Sequence, residues 1–383
     1  ARFNDARFFW DVDQKIPLVD RVEMLRNVTF QTDIGSYWDK TQMNLTAARS
    51  IARELSNAPE AAQVDSAVRL AKTDLTTDMV KEFTELQGIV GGLYARAQGF
   101  PQEVGDAIYE QYRPQGTNDS IPATKLGAVV ALADKMTTIA AMFSKGMVPT
   151  GSKDPFALRR AGAGVIRILA ENEFVRHELH LETVLAAALA EADSDGDLHS
   201  KLREFMLDRL EFYLQETRGV RLQVARAVRN SRVAEDYAEK QQRIGYGSLA
   251  EFAAALEQQV GSANVLAVAE LLKRTSNILR QAREKKIAYS AAESPALLTD
   301  VAEMELSNRV TEADARIQKN YREGNYGEAI AAIAGLQLAL NAFFDSVMVM
   351  VDDPQLRENR LALLARTEAT VRWAADFSEL ASL

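Results

Sequence analysis

Apolar residues recur every three or four positions along most of this chain, and that periodicity limits the possible folds more than any other feature. Leu18, Val22, Leu25 and Val28 share one helical face; so do Ala47, Ile51, Ala52 and Leu55, and likewise Leu126, Val129, Val130 and Ala133. Spacing of this kind marks amphipathic helices, whereas a half-buried strand alternates every second residue. Only 9 prolines and 20 glycines punctuate 383 residues, which leaves little room for a sandwich of short strands or for long flexible linkers. The predicted fold class is all-α and multi-domain. The length exceeds one typical domain, and the pattern divides into residues 1–150, a helical middle at 151–265, and a C-terminal bundle at 266–383.

Local signals place some of the helix ends. Residues 1 to about 45 read as amphipathic helix broken near Pro17, with Phe30, Ile34, Tyr37 and Trp38 continuing the apolar face. Trp10 and Trp38 have the chemistry to stack on a base, but a place in the core is the simpler reading. In TGSKDPFALRR (150–160), Asp154 suits an N-cap and Pro155 the first helical position. Phe156, Leu158 and the small residues 161–164 then face a neighbour, while Lys153, Arg159 and Arg160 leave a basic cluster. This helix is predicted to run on to about residue 192. Asp353-Pro354 repeats the cap-plus-proline signal, which accounts for Asp352 and Asp353 more simply than a Mg²⁺ site does. GIVGG, with Gly88, Gly91 and Gly92, lacks the lysine of a phosphate loop and reads as close helix packing.

The absence of cysteine excludes disulfides and thiolate metal sites. The histidines are His177, His180 and His199. His177 and His180, three apart on one predicted helix face, read as an exposed pair, and no metal site is assigned. Asp193, Asp195 and Asp197 superficially resemble a calcium loop, but Leu198 stands where the sharp turn needs glycine, so an acidic turn is the reading. No run approaches the ~20 apolar residues that a membrane-crossing helix requires. The opening ARFNDARFFWDVD carries charge throughout and reads like the middle of a helix, as expected of a fragment.

Net charge is −9, from 45 basic and 54 acidic residues, which argues against indiscriminate coating of nucleic acid. Specific RNA binding needs only a local positive face. Arg218, Arg221, Arg226, Arg229 and Arg232 fall within an arc of about 140° on a helical projection. Such a stripe can track phosphates, or it can be a solvated face or a subunit contact. KRTSNILRQAREKK sets Lys273, Arg274, Arg280, Arg283, Lys285 and Lys286 against the single acid Glu284. Arg309, Arg316, Lys319 and Arg322 follow on one predicted helix, where guanidinium groups could stack on unpaired bases.

Four blocks carry a family resemblance: TGSKDPFALRR (150–160), KRTSNILRQA (273–282), AFFDSVMVMVDDPQLRENRLALL (342–364) and DLTTDMVKEFTELQGIVGGLYA (74–95). Together they resemble the beta subunit of bacterial glycyl-tRNA synthetase in its two-chain form, over essentially the whole chain. The resemblance implies an HD phosphohydrolase-like helical domain in the first part. It also implies a DALR-type anticodon-binding bundle in the last part. Working HD enzymes bind metal through an early histidine, a His-Asp pair and a late aspartate. Here Asp74 matches the pair's aspartate, Thr73 replaces its histidine, and Asp134 matches the late aspartate. With every histidine downstream, a fold retained without hydrolase chemistry is expected. The resemblance further implies a cytoplasmic enzyme that uses ATP, Mg²⁺ and glycine to charge tRNA(Gly). Its alpha subunit would supply the active site, in an alpha2beta2 tetramer or an alpha–beta fusion. The chain lacks HIGH and KMSKS signatures, and no catalytic residue, metal or bound cofactor is assigned to it. Its expected contribution is to position tRNA through the basic residues named above, with no membrane partner. A helical protein-binding scaffold is the alternative; a metal phosphohydrolase is disfavoured by the missing imidazoles.

Overall fold

The computed structural model describes residues 2–190, 196–235 and 244–383. Among the described residues the strands are Thr29–Gln31 and Gly35–Ser36, paired as a small antiparallel ribbon; the other regular elements are helices. The chain groups into two units, Ala1–Arg209 with Lys240–Gly247, and Leu210–Glu239 with Ser248–Leu383. The expected boundaries at residues 150 and 265 fall inside these units rather than between them.

The first unit is built around the helix Lys125–Ser144. Thr124 starts it, its side-chain oxygen accepting from the Gly127 N–H at 3.0 Å. Apolar almost all round, this helix is enclosed by Tyr37–Arg53, Ala61–Leu70, Gln102–Glu110, Leu158–Glu171 and Leu181–Leu189. Contrary to the expectation that no run is apolar enough to cross a bilayer, it and residues Tyr326–Ser346 are long and apolar enough by length and composition, but its apolar window is 89% buried, as befits a core helix. Glycines bring Ile89–Ala97 close to Gln102–Glu110: a Cβ on Gly92 would lie 2.6 Å from the Gly105 carbonyl oxygen. The close packing expected of GIVGG is therefore observed.

Four local expectations are corrected. The first 45 residues are not one interrupted helix: Arg2–Asp13 and Leu18–Met24 are helical, but Phe30 and Ile34 lie in the ribbon and its turn. A new helix starts at Tyr37, where Ser36 and Asp39 exchange a reciprocal capping box. Asp154 caps its helix from outside, through 2.8 and 2.9 Å bonds from the Leu158 and Arg159 N–H groups. Pro155 and Phe156 therefore precede the helix, Ala157 takes a left-handed conformation (φ 53°), and Phe156 is exposed rather than packed. That helix ends at Glu171, so His177 and His180 share no helix face. His180 is buried against Tyr246, and its Nδ1 accepts from the Glu182 N–H at the start of Leu181–Leu189. Asp193 and Asp195 lie outside the described residues. Trp10 packs edge-on against Tyr94, which favours a structural role for it.

In the second unit, Ala263–Glu284 and Val301–Arg322 pack with Tyr326–Ala334, Gln337–Ser346 and Pro354–Arg372. Val268, Leu272, Leu279, Leu306, Ile317, Phe343, Leu361 and Leu364 fill the interior. Tyr321 lies at the centre of an aromatic cluster with Phe252, Tyr326 and Trp373, with ring centroids 5.0 to 5.4 Å from it. Asp353 caps Pro354–Arg372, as its sequence indicates. Asp300 and Glu303 form a capping box on Val301–Arg322, and the buried Glu303 also accepts from Arg360 Nε at 2.5 Å.

Candidate nucleic-acid interface

The basic window lies on the exposed side of Ala263–Glu284 and just beyond its end. Leu272, Leu279 and Ala282 turn inward, which leaves Lys273, Arg274, Arg280 and Arg283 at the surface. Lys285 ends the helix, and Lys286 takes a left-handed conformation (φ 54°) that turns the chain away. Among the described residues, Lys273, Arg283, Lys285 and Lys286 make no ion pair. Arg280 pairs with Glu284 one turn on, an exposed contact that a stronger anion can replace at little cost. The Arg274 guanidinium lies 4.3 Å from the centre of the Phe344 ring. Beside it is a cavity of about 440 Å³ edged by Val347 and by Met348, which is 71% exposed. An arginine plane, an aromatic ring and an exposed thioether form a surface suited to an unstacked base.

The second candidate helix is less uniformly cationic. Arg309 is flanked by Glu305 at 2.7 Å and Glu312 at 3.3 Å, so the expected Arg309–Arg316 face carries its own counter-charges. Arg316 and Lys319 are exposed without an ion pair among the described residues. Arg322 bonds to Gln318 and lies 5.6 Å from the Trp373 ring centre.

The arginine stripe is not a stripe. Its helix is only Leu222–Arg229; Arg218 precedes the turn at Gly219, and Arg232 starts a separate helical turn. Arg221 is held by Glu257 at 2.7 Å, while Arg226 and Arg229 both face Glu211 at 3.6 Å. Gly219 (φ 68°) breaks the projection on which a single face depended. Arg218 and Arg232 are exposed.

In the first unit, the two carboxylates expected to match the HD pattern, Asp74 and Asp134, have other partners. Asp134 faces the ammonium groups of Lys72 at 2.9 Å and Lys40 at 3.2 Å, and accepts from Asn44. Burial alone would raise its carboxyl, but the two lysines outweigh that and hold it well below the usual carboxylate range. Asp74 is fully buried, and burial pushes it up to about 6 even though it accepts from the Gly88 N–H at 2.5 Å. Burial also lowers Lys40 and Lys135 to about 8. Two ammonium groups on Asp134, and a Thr73 hydroxyl bonded to the Leu70 carbonyl, are the wrong chemistry for a transition-metal site. Nothing in the sequence around Lys40, Lys72 and Lys135 marks them as interior, because isolated lysines are the ordinary content of helix surfaces.

Known proteins resemble this chain along its whole length. The family model described as glycyl-tRNA synthetase beta subunit matches residues 1–230. That described as DALR anticodon binding domain matches residues 268–377, which include the basic helix from Val268 onward. The chain is 44% identical to the glycine–tRNA ligase beta subunit of Acidobacterium capsulatum, over 99% of this chain and 53% of that protein. It is 38% identical to the proteins of that name from Dechloromonas aromatica and Delftia acidovorans, over 100% of this chain and 52% of each. The chain thus spans about half the length of the curated relatives it matches.

Proposed function

Because this chain belongs to the glycyl-tRNA synthetase beta-subunit family, we propose that it is the tRNA-holding part of a glycine–tRNA ligase. In this reading the second unit grips the anticodon region of tRNA(Gly). Glycylation, with ATP, Mg²⁺ and glycine, takes place in the cytoplasm on an alpha subunit partnered as alpha2beta2 or fused to this chain. No residue described above is assigned a catalytic role. Binding distant parts of the tRNA would hold its acceptor end at an active site elsewhere, converting a bimolecular encounter into a positioned one.

The observation that carries the proposal is the run of exposed, uncompensated cations Lys273, Arg283, Lys285 and Lys286 within the match to the anticodon-binding family. Net charge is −9, so such a concentration of positive charge is local rather than general. Anisotropy titration of glycine tRNA against salt tests it: affinity should fall log-linearly as salt rises. Equal affinity for a tRNA with an altered anticodon would reject anticodon recognition by the second unit.

A further inference from the structure

A cavity of about 360 Å³ in the first unit has no part in tRNA holding as described above, and the TGSKDPFALRR stretch forms one of its walls. Lys135 lines it. This side chain is nine-tenths buried, and its ammonium donates to the Tyr112 carbonyl oxygen at 2.8 Å, which leaves two further N–H donors. Gly164 makes room for the lysine stem, since a Cβ there would come within 3.1 Å of Lys135 Cε. Arg160 stands at the rim, exposed and without an ion pair among the described residues.

The acidic groups at the cavity do not cancel this charge. Asp134 is already answered by both Lys40 and Lys72. Glu85 is exposed, where water screens it. What remains is a lysine and an arginine lining one space, the combination that grips a phosphate monoester: arginine through two parallel bonds, lysine as a point charge. Tyr112 and the 41% exposed Phe156 add aromatic surface to the same walls, and the volume lies in the range of small-molecule sites.

We propose that this cavity binds a nucleoside monophosphate without a metal ion, its phosphate lying between Lys135 and Arg160. The ammonium pair on Asp134 takes the place that a divalent ion would need, so the cations for the phosphate come from the protein itself. None of these residues belongs to the basic helix, so this site stands or falls independently of tRNA binding by the second unit.

Calorimetric titration of the whole chain with AMP in EDTA tests the proposal. Saturable binding is expected, with adenosine at least tenfold weaker. Arg160→Ala, a change at an exposed position, should lower AMP affinity at least tenfold while the melting curve stays unchanged; Lys135→Gln should do the same if it folds. Competition by a 5′-phosphorylated oligoribonucleotide, but not by its 5′-hydroxyl form, would assign the phosphate to an RNA end. Lack of competition would assign it to free nucleotide. Absence of saturable AMP binding, or binding unchanged in Arg160→Ala, overturns the proposal.

Discussion

Replacing Asp134 with asparagine tests the account of the first unit's interior most directly. The change keeps shape and one carbonyl acceptor but removes the negative charge between Lys40 and Lys72, which are 1% and 2% exposed. At an effective dielectric of about 20, unit charges roughly 3 Å apart attract by about 5 kcal/mol before desolvation is counted. Desolvation offsets much of that in the intact cluster, but it remains in full once the carboxylate is gone. Breaking a buried pair from one side costs about 3–5 kcal/mol. With a urea dependence of about 2 kcal/mol per molar, the midpoint should fall by roughly 1.5–2.5 M. Lys40 also bonds Asn44, Thr137 and the Asp134 carbonyl, so Lys72 is the residue left most exposed to the loss. Lys72→Met alone should therefore cost less than Asp134→Asn.

The tryptophans are Trp10, Trp38 and Trp373, of which the first two lie in the first unit; in a Trp373→Phe background fluorescence follows that unit alone. Lysine titration supplies a second readout. Burial has pushed Lys40 down to about 8, below its unfolded value of 10.5. Across that window the unfolded chain holds more protons, so stability rises with pH. Losing the Asp134 charge lowers Lys40 further, so the variant's deficit should be smaller at pH 9 than at pH 6. A deficit under about 1 kcal/mol at pH 6, or one of equal size at both pH values, would refute the reasoning.

Other expectations follow from the same structure. Converting Lys273, Arg283, Lys285 and Lys286 to glutamine should weaken tRNA binding and flatten the log–log salt slope, as anisotropy can measure. The slope should change by about 0.7–0.9 for each phosphate that these cations cease to neutralise. The same change at Arg221, already held by Glu257, should leave the slope untouched. Gly92→Ala forces a methyl against the Gly105 carbonyl at 2.6 Å and should destabilise the first unit by about 1–3 kcal/mol in urea unfolding. Arg360→Leu leaves the Glu303 carboxylate buried without its guanidinium and should cost about 3–5 kcal/mol, read by hydrogen exchange along Val301–Arg322. Burial works against Glu303, but the Asp300 and Thr299 N–H groups and Arg360 hold its carboxyl below the usual value. Its stabilising contribution is therefore full above the unfolded carboxylate value and is lost as pH falls through the folded one.

Residue order alone determined the helical class, the packing of the GIVGG glycines, the Asp353 cap and the location of the most basic window, because each depends on spacing within a few residues. Family resemblance, also carried by residue order, led to the expectation that Asp74 and Asp134 stand for two separate aspartates of the HD pattern. Tertiary structure decided which charges are available. Glu257 lies 36 positions from Arg221, and Lys40 lies 94 from Asp134, distances over which no periodicity speaks. A helical projection treats every arginine on one face as free, yet a glutamate from another helix can neutralise it, as Glu211 does for Arg226 and Arg229. For the same reason the cavity beside Lys135 could not be read from the chain: its walls come from segments joined only by packing.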